Sequence, residues 1–218
     1  MMKMIKQYKY TDKELNQLLK SITIVVDTRE NANSHIIKYF DDKKILHISR
    51  KLDYGDYSCF LPTNPELGIM RDTYFDCVIE RKGHLEEVSG NFTADRTRIE
   101  NEFIRAKDSR FIMMIEKKEN KKAILAFEKI KKVIEGLPHD TGIKLEDFNA
   151  VKEAIGGIGS FEDIIEHKYD TKYNEKSFIA SLLTFGHRYG IDKHFIDKKY
   201  AGLFIYHQLY YFVREYLR

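Results

Sequence analysis

Cys77-Val78-Ile79-Glu80-Arg81-Lys82 is the stretch on which the reading of this chain turns. It is an apolar run that closes on three charged residues. In a strand, successive side chains alternate between the two faces. Glu80 and Lys82 therefore point one way, and Cys77, Ile79 and Arg81 the other. Upstream, Asp53-Tyr54-Gly55 reads as a turn, so that Asp56 is supplied from a neighbouring strand. Two carboxylates, Asp56 and Glu80, suit a hard divalent cation such as Mg²⁺ or Mn²⁺, which prefers oxygen ligands. Such a cation polarises a phosphate and acidifies a water, while a lysine orients that water or steadies developing charge. This set is the minimum kit for metal-dependent phosphodiester hydrolysis.

Working outward, strands and helices alternate. Ile22 to Val26 is a continuous β-branched run, as in a buried strand. Asp27-Thr28-Arg29-Glu30 ends it, and Asn31 and Asn33 offer caps for a helix to about Lys43, with Ile36, Ile37 and Phe40 inward. Ile45 to Leu52 reads as a second strand with Leu46 and Ile48 on one face. Asp56 to Leu61 is a third and Tyr74 to Glu80 a fourth, joined by a loop at Pro62 to Asp72. A helix is expected from about Thr93 to Lys107, with the stripe Phe92, Ile99, Phe103 and Ala106. Arg96 falls on that stripe, where an arginine needs a carboxylate or a phosphate. Arg110 to Glu116 reads as a strand, and Glu119 to about Glu135 as a lysine-rich helix. Glycines interrupt Gly136 to Tyr173. A helix at Ser177 to Tyr189, a short strand near Phe195 and a helix at Lys198 to Leu217 complete the chain. The alternation implies an α/β fold, a sheet flanked by helices.

The chain has 218 residues and 43% hydrophobic content, enough for one large core. A formal charge of +3 neither announces nor excludes nucleic acid, because an acidic site offsets basic surfaces. Cys59 and Cys77 have no metal-ligand spacing and do not make a disulfide framework, which points to a reduced, cytoplasmic setting. Neither a signal peptide nor a run of roughly 20 apolar residues appears, so no membrane association is expected.

Taken together, Val26-Asp27-Thr28-Arg29-Glu30, Leu52-Asp53-Tyr54-Gly55-Asp56-Tyr57 and Ile79-Glu80-Arg81-Lys82 resemble the nuclease domain of the XPF/Mus-type endonucleases, in the PD-(D/E)XK superfamily. Their hallmark runs Gly-Asp, then Glu-Arg-Lys, three residues and Asp. Here Glu86 stands at the last position. Asp95-Arg96-Thr97-Arg98, leading into Glu102-Phe103, resembles the family's next helix, and Ser181 to Phe204 its closing helix–strand–helix. The resemblance implies a restriction-endonuclease-like mixed sheet flanked by helices over residues 21–217, with a helical insertion at about 118–176; the polar residues before it, 1–20, read as a short helix or N-terminal arm. It implies a Mg²⁺- or Mn²⁺-dependent DNA endonuclease, structure-specific on branched or flapped DNA in recombination, repair or replication, in a prokaryotic or viral host cytoplasm. A restriction-like or general DNA nuclease and a non-catalytic DNA-binding scaffold stay open as alternatives.

The site residues follow from both readings. Asp56 and Glu80 would hold the metal and Lys82 act on the water. Asp27, with Glu30, either completes the acidic pocket or caps the next helix. Arg81 either supports the site from behind or pairs with an acid. Arg96 and Arg98 either grip the phosphate backbone or serve as an internal ion pair and a solvated face. Lys117, Lys118, Lys121 and Lys122 open a basic run that is either a DNA-tracking surface or a solvated helix face. Ile155-Gly156-Gly157-Ile158-Gly159 is a short glycine motif, either a phosphate-binding hairpin or a plain turn. The last helix carries two apolar stripes, Phe204, Ile205, Leu209, Phe212, Val213 and Tyr216 on one side, with Tyr200, Leu203, His207, Tyr210 and Leu217 on another. One can pack on the sheet; the other is surplus apolar surface, which suggests an interface, and the family resemblance implies a homodimer through the C-terminal helices.

Overall fold

The structure, a computed structural model, describes residues 9–118, 159, 163–164, 171 and 173–218. Most of the expected insertion at 118–176, including Lys121, Lys122 and the motif Ile155 to Gly159 apart from Gly159 itself, lies outside the described residues. The β-branched and apolar runs of the sequence become seven strands of one sheet: β1 (Thr23–Val26), β2 (His47–Ser49), β3 (Tyr57–Leu61), β4 (Thr73–Tyr74), β5 (Cys77–Lys82), β6 (Arg110–Lys117) and β7 (Asp192–Asp197). Their order is β2-β1-β3-β5-β6-β7, with β4 beside β3. β3 runs antiparallel to β1, β4 and β5, whereas β1–β2, β5–β6 and β6–β7 are parallel. The sheet is therefore mixed, as expected. This topology carries the ends of β1, β5 and β6 and the start of β3 to a single edge of the sheet. Asp27, Asp56, Glu80 to Lys82 and Glu116 all gather there.

Six helices are described: α1 (Asp12–Lys20), α2 (Ser34–Asp42), α3 (Leu85–Thr93), α4 (Arg96–Arg105), α5 (Glu175–Tyr189) and α6 (Ala201–Tyr216). The sheet separates two hydrophobic clusters. On one side Ile24, Cys77, Ile79, Ile112 and Met114 pack with α1, α2 and α6. On the other Val78, Phe111, Met113 and Ile115 pack with α3, α4 and α5. The alternation of β5 between these clusters fixes the faces of the residues that follow. Arg81 continues the first face, and Glu80 and Lys82 the second.

Of the short helix or arm expected before Lys20, residues 12–20 form the helix: Thr11 and Glu14 form a capping box, and Leu15, Leu18 and Leu19 are buried in the first cluster. Burying three leucines, at about 1.5–3 kcal/mol each, explains why a polar segment docks. The second strand shortens to three residues at the sheet edge, leaving Leu46 and Ile48 exposed. The single helix expected from Thr93 is two helices. α3 begins earlier, capped by the His84 ring, whose Nδ1 accepts the Glu87 N–H at 3.3 Å. Leu85, Val88 and Phe92 form its buried stripe, and α4 restarts after Asp95 with Ile99, Glu102 and Phe103 inward. Arg96, the first residue of α4, is exposed rather than internal and lies over the Phe185 ring, 5.2 Å from its centroid.

Candidate active site

Gly55 and Asp56 enter the sheet edge through a tight turn. Gly55 has φ +70°, a left-handed conformation, and a Cβ there would stand 3.1 Å from Val78 Cβ, so glycine suits the turn on both counts. The next residue is held by β5 in two ways. Asp56 N–H donates to the Ile79 carbonyl at 2.9 Å, and the Arg81 N–H donates to Asp56 Oδ2 at 2.8 Å. The same turn is tied to α4 and the loop after it. Gly55 N–H donates to Glu102 Oε1 at 3.1 Å, and the Tyr54 and Ser109 hydroxyls lie 2.6 Å apart.

Glu80 and Lys82 lie on the α3–α4 side of β5, and Lys82 Nζ donates to Glu80 Oε1 at 2.6 Å. Lys82 also stands 3.7 Å from Glu87, whose other oxygen accepts the Gly83 N–H at 2.8 Å. A pocket of about 370 Å³ opens at this point, lined by Asp56, Glu80 and Glu102 with Gly55, Asp53 and Asn101, and by Arg29, Arg98 and Arg105. All three arginines are exposed, so the pocket has acids in its floor and guanidinium groups at its mouth.

The charges on this floor are strained. Burial, then the Glu80 carboxylate, push the Asp56 carboxyl well above its usual range, against the Arg81 N–H and the Lys82 ammonium. Burial pushes Glu80 up against the pull of Lys82, and with the neighbouring Glu102 carboxyl also raising it the group reaches about 7. Burial favours the neutral amine at Lys82, but Glu80, Glu87 and Asp56 outweigh it and hold the ammonium protonated above its ordinary range. Three carboxyl groups lie near one lysine in a partly desolvated pocket, and a cation there favours the ionised forms of Asp56 and Glu80. The donors are all oxygen, as Mg²⁺ or Mn²⁺ prefers. Among the described residues no group of three His, Cys, Asp or Glu side chains is gathered closely enough to form a ready-made cage. Asp56 and Glu80 fit a cation that keeps several waters and takes only one or two carboxylates from the protein.

A family model for the ERCC4 domain matches residues 26–207. The chain belongs to the ERCC4 domain family. Among solved structures, it is similar to XPF from Aeropyrum pernix, with 15% identity and a TM-score of 0.48 over 88% of this chain and 65% of that one. The same protein in complex with DNA gives 16% identity and a TM-score of 0.48 over the same shares. The chain thus spans about two thirds of the length of that protein, 65%. No curated protein matches the sequence.

In this ERCC4 domain the remaining expected site residues separate into groups. Asp27 is buried, and its carboxylate is occupied. Oδ1 accepts Arg29 N–H and Nε, each at 2.7 Å, and Oδ2 accepts Arg29 Nη2 at 3.0 Å and Leu52 N–H at 2.6 Å. Burial raises its pKa, but these hydrogen bonds win and hold it below the usual value. It clamps the segment after β1 to the loop before β3 and does not line the Asp56–Glu80 pocket. Glu30 and Arg81 meet on the other face of β5. Arg81 Nη1 donates to Glu30 at 3.2 Å, and its Nε and Nη2 grip both oxygens of Glu116 at 2.7 and 2.8 Å. His35 Nε2 lies 2.7 Å from the same Glu116. These residues form a second, closed cluster.

Of the expected DNA-contacting residues, Arg98 lines the pocket and Arg96 does not. Lys118 donates to Glu86 at 3.0 Å, so this acid faces the lysine rather than the floor. Lys117 lies 3.7 Å from Asp197, beside β7. Glu102 and the rim arginines Arg29 and Arg105 are the residues that sequence reasoning did not assign to the site. The signal for Glu102 was its spacing: it follows Ile99 by three and precedes Phe103 by one, on the inward stripe of α4.

Proposed function

We propose that this chain is a metal-dependent DNA endonuclease. The observation that carries the reading is the pocket itself, in which Asp56 and Glu80, the latter bound by Lys82 from behind, lie below a rim of Arg29, Arg98 and Arg105. The floor has the charge to hold a cation, and the rim has the charge and planar donors to hold phosphates. Asp56 and Glu80 would hold Mg²⁺ or Mn²⁺. Such a cation, when bound, polarises the scissile phosphate and acidifies a water. Lys82 is anchored on Glu80 and stays protonated, so it orients the water and steadies negative charge as a donor, not as a general base. The arginines fix the backbone on either side, positioning the phosphate without reading sequence.

Branched or flapped DNA is the substrate the family resemblance implies, in recombination, repair or replication, in the cytoplasm of a prokaryotic or virus-infected cell. The reading includes a homodimer. Edge strand β7 and α6 border a groove of about 420 Å³ lined by Phe195, Tyr200, Leu203, Phe204, His207 and Tyr211, and Tyr200 and Tyr211 are exposed. A second copy covers this face. No described helix is long and apolar enough to cross a membrane.

The test is cleavage of end-labelled flap, fork, four-way and linear DNAs with Mg²⁺, with Mn²⁺ and with EDTA. Metal-dependent cuts near the junction are expected, lost in Glu80→Gln and in Lys82→Ala. Equal cutting of linear DNA would replace structure specificity with a general nuclease. Normal cleavage by either folded variant, or none by the wild type with either metal, overturns the active-site reading. Light scattering of the purified chain checks the dimer, and a monomer at micromolar concentration removes it.

A further inference from the structure

The sheet face that carries Glu80 and Lys82 is covered unevenly. The second hydrophobic cluster, with α3, α4 and α5, stands on β5 and β6 and takes no residue from β1 to β4. On that other half Val25, Ile48, Ser58, Phe60 and Tyr74 share the face, as the pairings Val25↔Ile48, Val25↔Ser58 and Phe60↔Tyr74 require. Tyr74 is 47% exposed and stacks on the buried Phe60 ring, with centroids 5.0 Å apart. Arg50, just past the end of β2, reaches across to it. Its guanidinium lies 5.3 Å from the Tyr74 ring centroid, and Nη1 donates to the Tyr74 hydroxyl. Among the described residues its other guanidinium N–H groups have no partner, and neither Arg50 nor the exposed Lys51 meets a carboxylate. A cap over Phe60 accounts for the contact with Tyr74. It does not account for two adjacent cations without an acid.

Their place in the fold supplies the second observation. Arg50 N–H donates to the Val26 carbonyl at 2.9 Å, and Leu52 N–H to Asp27 Oδ2 at 2.6 Å, so the loop is laced to the end of β1. Arg29 Nη2 donates to the Leu52 carbonyl at 2.8 Å, and Arg29 and Asp53 line the acidic pocket. Arg50 and Lys51 therefore continue the pocket rim on the side formed by Arg29 rather than by α4. Asp53, the one acid from Arg50 to Asp53, belongs to the pocket. The three residues back from Asp53 to Arg50 span at most about 10 Å of chain. One DNA strand carries a phosphate about every 3.4 Å along the axis, so this length matches about three phosphates. We propose that Arg50 and Lys51 hold the DNA backbone about two or three phosphates beyond the cut, where the strand passes from the pocket onto the open half of the sheet; the proposal rests on the endonuclease reading above. Tyr74 is a positioning residue. Its ring and hydroxyl fix the guanidinium and leave Nε and Nη2 for a phosphate.

The experiment measures binding of a fluorescent flap DNA by the full chain in EDTA at several salt concentrations, and flap cleavage with Mg²⁺. Arg50→Ala and Lys51→Ala should each lower the slope of log K against log salt by about 1 and weaken binding about 5–10-fold at 0.1 M salt, with KM raised and kcat unchanged. Tyr74→Phe, which keeps the ring and loses the hydroxyl, should fall between wild type and Arg50→Ala in affinity. Lys43→Ala removes an exposed cation before the opposite end of β2 and should change neither slope nor affinity. Neutral methylphosphonates placed singly along the cut strand locate the contact. One of them, about two or three phosphates from the cut, should weaken wild-type binding and leave the Arg50→Ala variant unaffected. Wild-type slopes in both Arg50→Ala and Lys51→Ala overturn the proposal. So does an equal loss in Lys43→Ala, which would make basic charge anywhere sufficient. If melting shows that Arg50→Ala does not fold, Lys51→Ala still decides. Normal cleavage by Glu80→Gln together with lowered slopes here overturns the active-site reading and leaves the backbone contact standing.

Discussion

Glu80 and Glu116 are buried glutamates on neighbouring strands, at 6% and 1% exposure, yet their surroundings treat them in opposite ways. Glu116 meets both arms of the Arg81 guanidinium and the His35 ring. Burial pushes its pKa up, but these partners overrule burial and hold it below the usual carboxylate value. Glu80 has Lys82, but it shares that lysine's field with Asp56 and sits against Glu102; its pKa rises to about 7. Burial is common to both, so the difference lies in compensation. On the Arg81 face one guanidinium pairs with both Glu116 and Glu30, and Glu116 takes two of its arms. On the Lys82 face, among the described residues, Asp56 and Glu102 have no ion-pair partner. One face of β5 locks the sheet edge, and the other is built to receive positive charge.

The largest effects should come from exchanging these roles. Asp56→Asn keeps an acceptor for the Arg81 N–H but removes an ionisable acid. Cleavage should fall by about 10³-fold, the scale of losing one preorganised electrostatic contact at a reacting centre. The melting temperature should stay level or rise, because a buried like-charge pair is relieved. Glu116→Ala should do the reverse. It leaves Arg81 buried with only Glu30, and removing one member of a buried ion pair costs about 3–5 kcal/mol. Urea unfolding measures that loss, and cleavage per folded molecule should stay close to wild type. An Asp56→Asn protein that melts far below wild type, or a stable but inactive Glu116→Ala protein, would erase the distinction between the two faces.

The two glutamates should also respond to pH with opposite sign. A carboxyl with a depressed folded pKa, such as Glu116 or Asp27, binds fewer protons folded than unfolded. Its stabilisation is present above the unfolded value of about 4.3 or 3.9 and is lost as pH falls through the lower folded value. A carboxyl with a raised folded pKa, such as Glu80, binds more protons folded. Its penalty is complete above about 7 and disappears as pH falls toward the unfolded value of about 4.3. In EDTA, the urea midpoint should therefore rise from pH 8 to about 5 and fall steeply below about 4. Glu80→Gln should flatten the upper limb only. A midpoint that falls steadily from pH 8 downward contradicts the raised pKa of Glu80.

Much of this contrast is legible in the amino-acid sequence. The period of two in β5 separates Glu80 and Lys82 from Arg81, and Gly55-Asp56 after a turn signal places a second acid at a strand start. The α/β class followed from the alternation of strand and helix patterns, and the mixed sheet from the family motifs. Other parts depended on long-range contacts that local patterns do not carry. Asp27 resembles a ligand in sequence, but it closes on the Leu52 N–H, 25 residues away. α3 escaped notice because its cap is a histidine, not a serine, threonine or aspartate, and Gly90 interrupts its pattern. Reading one helix through Phe92 then put Arg96 on the inward stripe. The break at Ala94-Asp95 restarts the phase, and Arg96 becomes the first residue of a helix, free to turn outward.

That misplacement supplies the smallest and most local test, on two arginines two residues apart. Arg98 lines the mouth of the acidic pocket, whereas Arg96 rests on the Phe185 ring outside it. If the rim holds phosphates, Arg98→Ala should weaken binding of every DNA tested and lower the slope of log K against log salt by about 1. Binding assays in Ca²⁺ or EDTA read this without cleavage. Arg96→Ala should leave the slope unchanged and cost about 0.5–1 kcal/mol of stability, the worth of an exposed cation–π contact. Arg105→Ala, from the same rim, should match Arg98→Ala. Equal slopes for the Arg96 and Arg98 variants would mean that DNA follows the whole exposed side of α4, with its basic charge in general. Unequal slopes would confine the strand to the pocket mouth, directly above Asp56 and Glu80.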